Sequence, residues 1–319
     1  MTPHDKPRFG EIDLLKGWSI LGVIFIHMSF SSRFGPSLIA AITILQAIFA
    51  WAVVAFFFCA GFLYAKSRHA LEPVTAYAAK RAHRLLLPWL GFTILYKTLL
   101  IAGHHFHLVA AAPPHGLVPL LLWPGAPQLY FLPMLFLVSV LFRILFTFLR
   151  LEWPLLLLTL LLVAVYGWLG AGAPHGGELK NLPAYAATYL AGVLTPTPNF
   201  LTPSKHRVFI FLLAAVAFAA LCVVRPTLSY LAVPLAAFPL QRFLPGPAAA
   251  PIRYLGKQSG PIYVWHTPIV MPFLSILCAK YFFNSPWLLI PSLTVLTIAL
   301  SVAIAHLVAR VDRFGILVL

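Results

Sequence analysis

Charged residues and cysteines are scarce in this sequence. Only 9% of its 319 residues are charged, whereas soluble globular domains average about 25%, so an ordinary soluble protein is excluded. The seven acidic residues leave no carboxylate in the middle of a long apolar run. The three cysteines, Cys59, Cys222 and Cys278, lie within apolar runs, which predicts buried thiols rather than a disulfide framework or a metal cluster.

Apolar residues are abundant: they make up 61% of the chain, and the mean hydropathy is +0.93. Ten apolar runs are candidates to cross about 30 Å of hydrocarbon, although the sixth, with 14 residues, is short. They cover residues 13–31, 41–64, 84–102, 129–149, 153–170, 182–195, 208–224, 227–244, 258–280 and 286–308. We therefore predict an all-α fold, a polytopic transmembrane helical bundle of about ten spans, as a single domain over residues 1–319 without an appended soluble domain.

Individual runs carry further expectations. The first run is not followed by a small-residue cleavage site, so we predict that it acts as an uncleaved signal anchor. The eighth run contains Pro234 and Pro239, which predicts a backbone that breaks or lines a cavity.

The formal charge of +15 is distributed in a way that predicts the topology. With the N-terminus inside, 16 of the 22 Lys and Arg residues fall in cytoplasmic segments, four fall on the opposite side, and Lys97 and Arg143 fall within spans. This bias favours ten spans with both termini cytoplasmic. The same topology explains the positive net charge, so we predict that nucleic acid is not a partner.

The first apolar run contains ionisable residues that a lipid-facing helix would avoid. On a helix, Lys16 and His27 differ by only about 20° in direction and by about 16 Å in rise. Asp13 precedes Lys16 by three residues and falls on the same side. Ionisable residues within a span are costly and commonly mark a functional path, although a histidine that bonds a neighbouring helix is the simpler interpretation of His27 alone.

Two other polar stretches interrupt the apolar pattern. Arg81 and Arg84 lie in a dense basic segment at the start of the third run, where they could bind phosphate or serve only as topology and headgroup signals. Ser259, Tyr263 and His266 share one side of the ninth run, and a role in hydrogen bonding between helices is as consistent with them as catalysis.

Two further stretches carry no predicted catalytic or metal-binding role. Four histidines, His104, His105, His107 and His115, lie in the longest loop, but no cysteine or carboxylate accompanies them, so we predict no metal site. Cys59 has no base within reach on its own helix, which argues against a nucleophile. The neighbouring Ala60 and Gly61 are typical of close helix packing.

Together these stretches resemble the acyltransferase-3 family of bacterial integral-membrane O-acyltransferases. The family's first span has an acidic segment, a basic residue, and a histidine eleven positions later. Its second span contains Phe-Phe-x-x-Ser-Gly-Phe, and its third span begins with Arg-x-x-Arg-Leu-x-x-Pro. Later motifs are Trp-Phe-Leu and Gly-(Lys/Arg)-x-Ser…Tyr-x-x-His-x-Pro. The matching residues are Asp13, Lys16, Gly17, His27, Phe57, Phe58, Gly61, Phe62, Arg81, Arg84, Leu85, Pro88, Phe131, Leu132, Gly256, Lys257, Ser259, Tyr263, His266 and Pro268. Ala60 and Tyr130 depart from the pattern, so neither is given a catalytic role.

The resemblance implies a multi-pass O-acetyltransferase of the bacterial inner membrane. Such an enzyme takes an acyl group, usually acetyl, from cytosolic acetyl-CoA and passes it to a hydroxyl of a carbohydrate or lipid-linked glycan, without a metal. His27 would be the general base or acyl relay, with Asp13 beside it in the catalytic group. Lys16, Arg81 and Arg84 would bind the CoA side, and Ser259, Tyr263 and His266 are further candidates.

Two other functions stay open from the sequence. A transporter or exporter could use Asp13, Lys16 and His27 as a proton path, but it would predict more polar groups at mid-depth in several helices. A membrane scaffold without enzymatic activity would leave the aligned ionisable residues without a purpose. The acceptor, the acyl chain length and the oligomeric state cannot be inferred from the sequence.

Overall fold

The structure is a computed structural model. It describes residues 9–28, 36–67, 72–105, 127–148, 152–169, 179–195, 216, 228–240, 246–282, 286–310 and 312. The predicted seventh span, residues 208–224, and the loop histidines His107 and His115 lie outside this part of the chain, as does Cys222.

All regular secondary structure within the described residues is helical, which confirms the predicted all-α fold. The α-helices are α1 (Gly10–His27), α2 (Pro36–Ile48), α3 (Ala52–Lys66), α4 (Val74–His105), α5 (Phe131–Phe148), α6 (Glu152–Trp168), α7 (Leu182–Leu194), α8 (Ser229–Leu240), α9 (Gly246–Lys257), α10 (Ser259–Trp265), α11 (Met271–Phe282) and α12 (Pro286–Ala309). Short 3₁₀ turns cover Pro127–Tyr130 and Leu179–Asn181, and a π-helical turn covers His266–Val270.

Four helical stretches within the described residues are long and apolar enough to cross a membrane. They are Pro36–Lys66, Val74–His105, Gln128–Phe148 and Leu288–Ala309. α1 has 18 residues, but Glu11, Asp13 and Lys16 add three charges to its first two turns. The long apolar helices are those of a membrane protein, whereas the ten spans and the cytoplasmic termini stay predictions.

Three predicted spans differ from the helices in the structure. The second run is divided by a turn at residues 49–51 into α2 and α3. The ninth run is divided by the π-helical turn, and the unpredicted helix α9 precedes it. In the eighth run, α8 continues through Pro234, so the backbone does not break there, and the alternative that this run lines a cavity stays a prediction. A proline removes one backbone hydrogen bond, and the remaining bonds can hold a buried helix together.

Helix α1 lies at the centre of the bundle. Nine of its residues are buried, and they are distributed around the whole helix rather than along one stripe. It packs most extensively against α9 and α3, and it also contacts α2, α8, α10 and α12. A helix that is apolar on all sides is expected in the interior of a large bundle.

Glycines allow two antiparallel helix pairs to pack with their backbones in contact. Between α1 and α9, a β-carbon on Gly17 would overlap the carbonyl oxygen of Ile252, and one on Gly256 would overlap that of Asp13. Small residues at such crossings let helices associate closely where apolar side chains gain nothing over lipid. The glycine of the Gly-Lys-x-Ser motif therefore has a packing role against the segment that contains Asp13.

The pair α3 and α7 repeats this arrangement. A β-carbon on Gly61 would overlap the carbonyl oxygen of Tyr189, and one on Gly192 would overlap that of Phe58. The sequence predicted Gly61 as a point of close helix packing, and the structure confirms it. The partner helix could not be predicted from the sequence, because Gly192 lies in a distant run.

Replacement of Gly61 by alanine should destabilise the protein, because the new methyl group has only backbone to displace. Overpacking of this kind costs typically about 1–3 kcal/mol. The matched control is Gly246→Ala, where a β-carbon would meet no atom within 4 Å. Thermal unfolding in detergent should show a lower Tm for Gly61→Ala alone, and equal Tm values would contradict the packing described here.

Candidate active site

Helix α1 carries the predicted line of ionisable residues without interruption. It is continuous over Gly10–His27, so Lys16 and His27 lie on one side with a rise of about 16 Å between them. Both side chains are partly buried, as is that of Asp13. No ion pair within 4 Å joins Asp13 to Lys16 in the described part of the chain, so pairing with Lys16 is not its role in this structure.

The structure brings His27 into contact with a second histidine from a distant part of the sequence. Nε2 of His266 lies 3.5 Å from Nδ1 of His27, and the ring centroids are 5.3 Å apart in an edge-to-face arrangement. His266 is fully buried, whereas His27 keeps some exposure. Two of the sequence's candidates, from the first and ninth apolar runs, therefore form one site.

The hydrogen bonds assign the proton positions on both imidazoles. Nδ1 of His27 lies 2.8 Å from the carbonyl oxygen of Val23, so it must carry a hydrogen. Nδ1 of His266 lies 2.7 Å from the carbonyl of Tyr263 and 3.1 Å from that of Ile262, which requires a hydrogen there too. Each neutral ring therefore has its basic lone pair on Nε2.

A hydroxyl group engages the basic nitrogen of His266. Oγ1 of Thr267 lies 3.0 Å from Nε2 of His266 and is its hydrogen-bond donor. Because His266 is buried and holds both a donor and an acceptor within the protein, it is suited to orient its partner. The more exposed His27 is the imidazole that a substrate could approach.

The π-helical turn places His266 at this point. It covers His266–Val270 and contains Pro268, which has no backbone N–H to donate. Single π-helical turns interrupt α-helices frequently at functional sites. The sequence predicted one continuous span here and gave no signal for the wider turn.

Tyr263 connects the histidine pair to α5. Its hydroxyl donates to the carbonyl of Gln128, and its ring lies 5.1 Å from that of Phe131. Phe57 contacts the same Phe131 ring at 5.2 Å. Residues from three of the sequence motifs thus pack together, and Tyr263 acts here as a structural link.

Ser259 is buried at the start of α10. No hydrogen bond joins Ser259 to either imidazole within the described residues. The side shared by Ser259, Tyr263 and His266 therefore stays a prediction, and no hydrogen bond within the described residues links its first and last members.

The two predicted arginines have different surroundings. Arg81 donates through Nε to the Tyr77 hydroxyl at 3.1 Å, and its guanidinium lies 5.3 Å from the centroid of that ring. Arg84 is exposed on the same helix. Lys16 lies on a different helix, α1, from the two arginines of α4.

A buried arginine that the sequence placed only within a span lies beside this group. Arg143 of α5 is 8% exposed and donates to the carbonyl of Glu72, which precedes α4. Tyr64 of α3 contacts Tyr77 with ring centroids 5.7 Å apart and lies within the electrostatic reach of Arg81 and Arg143. A charged residue in an apolar run was the available sequence signal, since such residues rarely face lipid.

The basic group and the histidine pair lie at opposite ends of the same helices. Along α5, Phe131 contacts Tyr263 of the histidine end, and Arg143 lies twelve residues later, about 18 Å away by helical rise. Along α1, Phe9 at the start packs against Phe62 near the end of α3, with centroids 5.3 Å apart. The basic residues at the start of α1, the end of α3, the start of α4 and the end of α5 therefore lie at one end of the bundle.

Two other sequence candidates remain outside the site. Cys59 is a fully buried free thiol in α3, and Asp13 and Lys16 act on it electrostatically from α1. His104 and His105 are exposed at the end of α4. The described residues contain no group of three or more His, Cys, Asp or Glu residues that could hold a metal ion.

Comparison with known proteins gives one match. No curated protein and no solved structure matches the chain. A family model described as an acyltransferase domain matches residues 9–306, which is nearly the whole chain and includes both histidines and all the basic residues discussed above. This confirms the resemblance drawn from the motifs: the chain belongs to the acyltransferase-3 family.

Proposed function

We propose that this membrane acyltransferase is an O-acetyltransferase that uses cytosolic acetyl-CoA and acylates a hydroxyl of a carbohydrate or lipid-linked glycan at the bacterial inner membrane. The observation that carries the proposal is the contact between His27 and His266. It leaves a basic Nε2 on the more exposed imidazole, at the opposite end of α1 from a cationic group.

In the proposed reaction, His27 is the general base. Its Nε2 takes the proton of the acceptor hydroxyl while the hydroxyl oxygen attacks the thioester carbonyl carbon. The carbon–sulfur bond then breaks, and the departing CoA thiolate receives that proton from the imidazolium. The products are an O-acyl ester and free CoA, and the imidazole returns to its starting tautomer.

His266 supports the charged form of His27 in this scheme. When His27 gains a proton at Nε2, the hydrogen on Nδ1 becomes a stronger donor toward the Val23 carbonyl, 2.8 Å away. His266, whose Nε2 lies 3.5 Å from Nδ1 of His27, is neutral and therefore places no second positive charge beside the imidazolium. Its burial keeps this arrangement fixed before the reaction starts.

The basic end of the bundle suits the phosphates of the acyl donor. Guanidinium groups bind phosphate through paired, charge-assisted hydrogen bonds, and Arg81 and Arg84 lie one helical turn apart on α4. The separation of about 16 Å between Lys16 and His27 fits a donor that binds by its phosphates at one end and reacts at the tip of an extended arm. The apolar bundle interior would also limit thioester hydrolysis by excluding water.

Replacement of His27 by alanine should abolish acetyl transfer. Loss of a general base costs typically about 10²- to 10⁴-fold in rate. The assay is release of free CoA thiol from acetyl-CoA by the reconstituted protein, with a glycan acceptor present. His306→Ala is the matched control, because this histidine is exposed and bonds only within α12, to the carbonyl of Val302.

Unchanged CoA release in His27→Ala would disprove the general-base mechanism. A wild-type protein that moves protons or a solute across liposomes without any acyl transfer would instead favour the transporter that the sequence left open. Glycans from cells with and without the gene, compared by mass spectrometry for O-acetyl groups, would identify the acceptor.

Replacement of Arg81 by alanine should weaken donor binding more than it slows chemistry. A hydrogen bond to a charged group contributes about 1.5–3 kcal/mol, so KM for acetyl-CoA should rise by about 10- to 100-fold. Lys80→Ala is the neighbouring control, because Lys80 is largely exposed and its ion pair is with Glu72 at 3.0 Å. An equal rise in KM in both variants would show that only the general positive potential matters.

A further inference from the structure

Helix α1 ends at His27, in the interior of the bundle. The last four carbonyls of a helix lack intrahelical partners, and leaving them unbonded in apolar surroundings is costly. One of the four is satisfied locally, since the Phe25 carbonyl accepts from the Met28 N–H at 3.1 Å, and the Val23 carbonyl just before them also accepts from the His27 ring. The carbonyls of Ile26 and Met28, on either side of His27, require donors from elsewhere.

Gln46 of α2 supplies both donors. Its side-chain Nε2 lies 3.1 Å from the Ile26 carbonyl oxygen and 2.9 Å from that of Met28. An amide nitrogen carries two hydrogens, so one side chain can make both bonds at once. The amide therefore binds the backbone immediately before and immediately after the proposed catalytic histidine.

The turn between α2 and α3 packs against the same end of α1. The Phe49 ring lies 5.2 Å from that of Phe25, and a β-carbon on Gly22 would lie 2.7 Å from Phe49 Cδ1 and from Ala52 Cβ. These contacts restrict sideways movement of the last turns of α1. Gln46 adds a directional restraint, because its two hydrogen bonds fix the orientation of the two peptide groups.

We propose that Gln46 is a positioning residue for His27. It holds the last turn of α1 in the geometry in which the Nδ1 hydrogen of His27 donates to Val23 and the basic lone pair therefore lies on Nε2. This inference rests on the proposed role of His27 as the base. Displacement of a reacting group by about 1 Å can cost about 10²-fold in rate, so a residue that never touches the substrate can control turnover.

The first test replaces Gln46 by methionine, which has a similar length and no hydrogen to donate. We expect kcat for acetyl transfer to fall by about 10- to 100-fold while KM for acetyl-CoA stays unchanged, because the basic end of the bundle is untouched. Gln46→Asn has a shorter amide that can hold at most one of the two carbonyls, so its kcat should lie between those of wild type and Gln46→Met. Thr43→Val is the control on the same helix, because the Thr43 hydroxyl is exposed and bonds only the Ile39 carbonyl, at 2.9 Å.

The second test does not depend on activity. In protein labelled with ¹⁵N-histidine, the signals missing from His27→Ala identify His27, and wild type should show the tautomer with hydrogen on Nδ1. Gln46→Met should shift this ring toward a mixture of tautomers. If the methionine variant does not fold in detergent, the same two measurements on Gln46→Asn decide the matter.

The outcomes separate the two proposals. Unchanged kcat together with an unchanged tautomer in a folded Gln46 variant would overturn the positioning role, as would an equal loss of kcat in Thr43→Val. A wild-type protein without acyl transfer, but with a tautomer that still responds to Gln46→Met, would disprove the proposed function and leave the role of Gln46 standing.

Discussion

The architecture depends on direct backbone contact between helices at glycine. In an apolar bundle, leucine and phenylalanine side chains gain little by leaving lipid for protein, so close packing and hydrogen bonds must hold the helices together. Gly17 and Gly256 let α1 and α9 meet without an intervening side chain, and Gly61 and Gly192 do the same for α3 and α7. These two antiparallel pairs fix α1 within the bundle, and every candidate catalytic group on α1 depends on that placement.

The site separates two tasks along one rigid element. Cationic side chains gather where α1, α3, α4 and α5 begin or end, and the imidazole pair lies toward the other end of α1. Under the proposed function, the electrostatic attraction for an anionic donor is thereby kept away from His27, the proposed neutral base. The same helix that separates these tasks also fixes the distance between them.

Local periodicity was sufficient to predict the all-α fold and the line from Lys16 to His27, because both depend only on residues close in sequence. Membership of the family could be predicted because several motifs, each weak alone, occur in the expected order along the chain. The contact of His27 with His266, 239 residues away, could not be predicted, because no local pattern specifies which distant helices become neighbours. The turn at residues 49–51 and the role of Gln46 were missed for the same reason: a glutamine in an apolar run signals a partner without identifying it.

The continuous helix between Lys16 and His27 also limits how the distance between these two residues can change. Inserting a single residue between Lys16 and His27 would lengthen the distance between them by only about 1.5 Å. It would also rotate His27 by about 100° and turn it away from His266. The direction of His27 comes close to its original value only after three or four inserted residues, which add about 5 Å to the helix. Under the proposed roles of Lys16 and His27, the distance between them can therefore change only in steps of about one helical turn, so adaptation to a slightly longer or shorter acyl chain has to come from the side chains around the imidazoles.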